Sequence, residues 1–140
     1  MKRKGSAIWS GDLKSGKGHV STESGALKDN AYGFNTRFEG TPGTNPEELV
    51  GAAHASCYAM AMSLGLGEKD LKADEIMTTA TVTLSEVDGG FAVTKVHLDV
   101  SARIPGISEA DFQEIAEATK KNCPISKLLA ADITMDAKLV

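Results

Sequence analysis

From Leu49 to Leu66 no side chain carries a charge, whichever face of a helix it occupies. The signals just before this run agree on a helix start. Asn45 offers an N-cap, Pro46 fits the first helical position, and Glu47 and Glu48 place negative charge where the helix dipole favours it. Gly65 or Gly67 can end the helix. A helix that is apolar all round must be covered all round, and one small sheet from the same chain covers one side only. A second copy of the chain is the simplest cover for the other side, so the pattern predicts a homodimer built around paired central helices. The alternative is a monomer whose other elements wrap the helix completely. His54, Ser56, Ser63, Gly51 and Gly65 interrupt the run, which barely reaches spanning length, so no membrane helix is expected.

The flanking segments read as strands and amphipathic helices. Ala7–Trp9, His19–Thr22 and Tyr32–Phe38 are β-prone runs separated by Gly- and Lys-rich turns. Gly40 to Thr44 is a loop, and Glu68 to Glu75 a polar connector. Thr79–Leu84 alternates, Asp88-Gly89-Gly90 makes a hairpin turn, and Phe91–Ile104 alternates again before Pro105-Gly106. Ser108, with Asp111 three positions later, resembles a capping box for a helix to about Lys121, with Phe112, Ile115 and Ala116 on one stripe. Asn122-Cys123-Pro124 interrupts that helix, Pro124 starts a short one through Ala131, and Ile133–Leu139 is a last strand. The order β-β-β-α-β-β-α-α-β predicts an α+β fold with antiparallel pairing, in one domain spanning residues 1–140.

Composition narrows the chemistry. A formal net charge of −4 argues against nucleic acid as a partner. Gly11-Asp12-Leu13-Lys14-Ser15-Gly16-Lys17-Gly18 nearly matches a phosphate-binding loop, but Gly18 stands where a Ser or Thr belongs and a strand follows, so a hairpin turn is expected. No apolar run follows Lys2-Arg3-Lys4, which predicts a cytoplasmic, reducing setting without a standing disulfide. The two cysteines, Cys57 and Cys123, are then two buried thiols, a metal pair or a redox pair. His54 and Cys57, three apart on one helix face, make only a weak ligand set with Cys123, and His19 and His97 are tied to nothing. Neither metal nor cofactor is expected, and His54 reads as a satisfied interior or interface histidine. Among the charged groups near the central helix — Arg37, Glu39, Glu47 and Glu48 — only Arg37 can lower a thiol pKa.

Gly33-Phe34-Asn35-Thr36-Arg37-Phe38-Glu39-Gly40, Gly43-Thr44-Asn45-Pro46-Glu47-Glu48-Leu49, Ala52-Ala53-His54-Ala55-Ser56-Cys57 and Asn122-Cys123-Pro124-Ile125-Ser126 together resemble the OsmC/Ohr family, its OsmC branch in particular. The resemblance extends to Trp9-Ser10-Gly11-Asp12 and Ser21-Thr22-Glu23-Ser24-Gly25. It implies an OsmC-like fold, antiparallel sheets wrapped around central helices in an intertwined homodimer, with sites at the subunit interface. It also implies thiol-dependent reduction of organic hydroperoxides, and more weakly of hydrogen peroxide, in oxidative or osmotic stress defence. By the same resemblance Cys57 is the peroxidatic thiol, Cys123 the resolving thiol, Arg37 the activating cation and Glu47 its carboxylate partner. An external dithiol, lipoyl or otherwise, would be the reductant.

Ten residues of unbroken helix place Glu47 and Cys57 about 15 Å apart along the axis. The helix therefore begins later, or Arg37 bridges the gap, or Glu47 comes from the partner subunit, with Glu48 as the competing carboxylate. Tyr58, Met60, Met62 and Phe38 line a peroxide pocket or simply pack a core. A redox-responsive ligand-binding dimer that does not turn over, and a structural dimer with inert cysteines, are the competing functions.

Overall fold

The computed structural model describes residues 1–140. They fall into two compact units, Met1–Leu49 and Val50–Val140.

In the first unit β1 (Gly5–Ser10), β2 (Lys17–Thr22) and β3 (Asn30–Tyr32) form an antiparallel sheet in that order. The glycine-rich segment between β1 and β2 is a tight turn in which Asp12 Oδ1 accepts the Lys14 and Ser15 amides, each at 2.9 Å. Gly18 is required by close approach: a Cβ there would lie 2.5 Å from the Tyr32 ring, which packs against Trp9 with ring centroids 5.6 Å apart.

One expectation fails in this unit. Tyr32–Phe38 is not a strand; β3 ends at Tyr32 and a short helix, α1, spans Phe34–Phe38. Thr36 explains the change. Its hydroxyl donates to the Gly33 carbonyl and accepts from the Gly33 amide, both at 3.0 Å, closing a helical turn. The Phe and Thr content that suggests a strand reports fit to a pleated surface, not a fixed backbone preference.

The long helix α2 (Pro46–Gly67) starts and stops where the sequence places its signals. Asn45 Oδ1 accepts the Glu48 amide at 2.9 Å as its cap. In the second unit it is followed by β4 (Glu75–Val87), β5 (Gly90–Arg103), α3 (Glu109–Asn122), α4 (Pro124–Leu128) and β6 (Asp132–Leu139). β4 begins four residues before the expected Thr79, and α4 stops three residues short of Ala131. Ser108 caps α3 as expected, accepting the Asp111 amide at 3.1 Å.

The sheet order is β4-β5-β6, and here pairing departs from expectation. β4 and β5 are an antiparallel hairpin, but β6 runs parallel to β5, Lys95 opposite Asp132 through Ala102 opposite Leu139. The two intervening helices form a crossover that carries the chain back to the end where β5 began, which is the connection parallel strands need.

Val96, Leu98, Val100 and Ala102 alternate on one face of β5 and are buried, the last three in one cluster with Tyr58, Met62 and Leu66 of α2 and Phe112, Ile115 and Ala116 of α3. Burying each of the larger aliphatic side chains contributes roughly 1.5–3 kcal/mol. Gly51 lets α2 lie close on the sheet, since a Cβ there would be 3.0 Å from the Ala80 carbonyl oxygen.

Along α2 only Gly51, His54, Tyr58, Met62 and Leu66 are buried, a single stripe at helical spacing. Met60 and Leu64, on the other side, are 77% and 69% exposed. Within the second unit, then, no element covers that side of the helix. By length and composition alone α2 also meets the description of a membrane-crossing helix.

Candidate active site

Cys57 sits on α2 one turn after His54 and beside the buried Tyr58. Cys123 is both the last cap of α3 and the first cap of α4, a position created by Pro124, which cannot continue α3 but can open a new helix. Its backbone is held on both sides: the Cys123 amide donates to Thr119 O at 2.8 Å, and its carbonyl accepts from Lys127 N at 3.1 Å. The two sulfurs meet within one chain, the Cys123 thiol donating to Cys57 Sγ at 3.1 Å. Both cysteines are free, Cys123 fully buried and Cys57 partly so. A disulfide needs about 2.05 Å, so closing the pair requires the sulfurs to approach by about 1 Å.

Within its own unit Cys57 is not a ready thiolate. Burial pushes its pKa above the ordinary 9.0, and the adjacent sulfur adds to the rise, while a hydrogen bond from the Ile125 amide pulls the other way. Two thiols this close share their protons, and loss of one proton makes the second harder to remove.

Arg37 and Glu47 form the other constellation, in the first unit. Arg37 Nη2 donates to Glu47 Oε1 at 2.6 Å, and Nε reaches both carboxylate oxygens at 3.2 and 3.1 Å. α1 supplies the arginine and the first turn of α2 the glutamate. The Arg37 guanidinium also lies 5.2 Å from the Phe38 ring centroid. Glu48, the competing carboxylate, is exposed, and only its backbone amide is engaged, by the Asn45 cap. Arg37 borders an apolar cavity of about 140 Å3 whose other walls include Trp9, Tyr32, Phe34, Phe38 and Pro46.

Other expected residues go elsewhere. Tyr58 and Met62 are fully buried core, and Met60 faces outward. The Tyr58 hydroxyl donates to Ala116 O at 3.2 Å and to Met135 Sδ at 3.1 Å, and burial drives its pKa far upward, so it acts as a neutral anchor of α2 on α3 and β6. His54 is buried but only half satisfied: Nε2 bonds Ser126 Oγ at 2.7 Å, while Nδ1 has no partner. Burial holds its pKa below the ordinary value.

Sequence reading missed one grouping. His97 Nε2 lies 3.5 Å from Asp99 and 3.3 Å from Asp136, with Nδ1 2.7 Å from Thr134 Oγ1. Alternation puts His97 and Asp99 on one face of β5, but only the parallel register brings Asp136 and Thr134 alongside.

A family model described as OsmC-like protein matches residues 38–138. The chain belongs to the OsmC family. This OsmC-family chain is 55% identical over 137 residues to Peroxiredoxin OsmC of Escherichia coli strain K12, covering 98% of this chain and 96% of that protein. It is 28% identical over 123 residues to Organic hydroperoxide resistance protein OhrB of Bacillus subtilis strain 168, covering 87% and 88% of the two chains. Among solved structures, an OsmC-like protein from Mycoplasma pneumoniae superposes with a TM-score of 0.76 at 18% identity, over 100% of this chain and 98% of the other. The crystal structure of B. subtilis OhrB gives 0.71 at 24% identity, over 96% and 98%. At these identities the structures establish the α+β OsmC-like fold alone.

Proposed function

We propose that this OsmC-family chain is a cysteine-based peroxidase that reduces organic hydroperoxides to alcohols, using Cys57 as nucleophile and Cys123 as resolving thiol. The observation that carries the reading is the meeting of the two sulfurs at 3.1 Å across a helix-to-helix break. The names of the relatives, a peroxiredoxin and organic hydroperoxide resistance proteins, point the same way.

In the proposed cycle the Cys57 thiolate attacks the terminal peroxide oxygen. The O–O bond breaks, the alkoxide takes a proton and leaves as alcohol, and Cys57 becomes a sulfenic acid. The Cys123 thiolate then attacks the Cys57 sulfur, forming the S–S bond and expelling hydroxide, which takes up the proton Cys123 has given up and leaves as water. An external dithiol reduces that disulfide by exchange, returning two thiols and leaving as its own disulfide.

Activation of Cys57 needs a cation that its own unit does not supply. A guanidinium is a permanent cation that can fork between a carboxylate and a thiolate, which suits Arg37 to the task. α2 runs unbroken from Pro46 to Gly67, so Glu47 stays about 15 Å along the helix from Cys57 of the same chain. We therefore assign Arg37 and Glu47 of one chain to the Cys57 of a second, in a homodimer. Exposed Ile8, Met60 and Leu64 give apolar surface for such a partner to cover. The cavity beside Arg37 would hold the alkyl group of the peroxide, which favours organic hydroperoxides over hydrogen peroxide. The single-domain, cytoplasmic enzyme so described uses neither metal nor cofactor.

The test is steady-state consumption of cumene hydroperoxide with dihydrolipoamide, and separately with thioredoxin, beside a solution mass measurement. Many turnovers per Cys57 at twice the 14.7 kDa chain mass are expected. Consumption that stops at one equivalent would make the protein a redox switch instead.

A further inference from the structure

α4 has five residues, too few to hold its own conformation. Yet it carries two of the groups that touch Cys57: Cys123 at its cap and the Ile125 amide in its first turn. Both of those contacts end on the reacting sulfur, so both change when Cys57 is oxidised. The His54–Ser126 hydrogen bond also joins α2 to α4, and it contains no reacting atom. His54 lies one turn before Cys57 on α2, and Ser126 three residues after Cys123 on α4. The bond therefore brackets the sulfur pair.

His54 is fully buried with Nδ1 unpartnered. With Nε2–H donating to Ser126 Oγ, the orphan is a bare acceptor rather than a buried N–H. An apolar residue would fill this place without any orphan, and it would leave α4 unpinned.

We infer that His54 is a positioning residue, which pins the first turn of α4 to α2 through Ser126 and so holds Cys123 at reacting distance from Cys57 in every state of the cycle. The inference rests on the two-cysteine reading for its catalytic meaning, but pinning affects the disulfide equilibrium whether or not a peroxide is turned over. Loosening α4 lowers the effective concentration of one sulfur at the other and makes the disulfide easier to reduce.

The experiment titrates the Cys57–Cys123 disulfide of the full-length protein against defined ratios of reduced and oxidised dithiothreitol. Ser126→Ala is expected to destabilise the disulfide by about tenfold, or about 30 mV, with His54→Gln in the same direction and Ser126→Thr close to the unmodified protein. An equilibrium within about threefold of the unmodified protein for Ser126→Ala, even with lowered melting temperature, would overturn the inference. Absence of any Cys57–Cys123 disulfide in the oxidised unmodified protein would also overturn it. A normal equilibrium shift in a protein that fails to turn over peroxide would sink only the peroxidase reading.

Discussion

The sulfur pair and the arginine–glutamate pair are built on opposite principles. Cys57 and Cys123 lie in the second unit, where the groups that act on the Cys57 sulfur are the second thiol and the Ile125 amide, with no cation among them. Arg37 and Glu47 form a charged, directional pair in the first unit, with side chains 34% and 15% exposed. The first arrangement suppresses the thiolate, and the second is suited to stabilise one. In the proposed dimer, reactivity would be a property of assembly: Cys57 would stay quiet in its own unit until a preorganised cation is brought to it. Storing the charge already paired with a carboxylate keeps the guanidinium aimed, so little ordering remains when the thiol arrives.

The hardest blow to this division of labour is Cys57→Ser, which should abolish catalytic peroxide consumption; residual turnover of cumene hydroperoxide by that variant would remove the nucleophile from the scheme. Next comes Cys123→Ser, which should give a single oxidation per Cys57 and then stall, visible as a burst in peroxide consumption with no steady state. Arg37→Met separates the two regions without touching the sulfurs. At neutral pH it should slow Cys57 alkylation and turnover by about a hundredfold, the usual reach of a nearby opposite charge. The alkylation profile should then rise only above the ordinary thiol value of 9.0. Unchanged labelling would show that the thiol is activated within its own unit. Glu47→Gln keeps the cation and loosens its aim, and should cost about tenfold.

The smallest expected effect concerns stability rather than rate. His54 titrates below its unfolded value of 6.5 when folded, so the unfolded chain binds more protons between those values. Stability from this group is present above pH 6.5 and is lost as pH falls through the folded value. Thermal melts at pH 7 and pH 5 should show a smaller acid loss for His54→Gln than for the unmodified chain, and equal losses would place the titrating group elsewhere.

Local signals were readable where a short segment settles its own structure. Asn45-Pro46-Glu47-Glu48 placed the start of α2, Ser108 placed α3, and Cys123-Pro124 placed the break between α3 and α4. The same holds for the uncharged run from Leu49, whose single buried stripe leaves Met60 and Leu64 outside. What was not readable depends on partners far along the chain. Thr36 folding back on Gly33 turned a β-prone run into α1, and the crossover before β6 made its pairing parallel. Nothing near His54 announces Ser126, 72 residues away, and nothing near His97 announces Asp136. Of the candidate site, residue identities came from motif resemblance, whereas the sulfur contact and the choice of Glu47 over Glu48 came from geometry.

The parallel seating of β6 has a consequence for how the molecule is made. Cys123 belongs to a crossover whose far end is anchored only when Asp132–Leu139 docks beside β5, after both cysteines have been made. A growing chain on the ribosome thus carries Cys57 for more than sixty residues before its partner sulfur exists. Translation stalled before Cys123 leaves Cys57 a lone thiol, whereas a chain stalled between Cys123 and β6 holds both sulfurs but lacks the strand that anchors the crossover carrying the second.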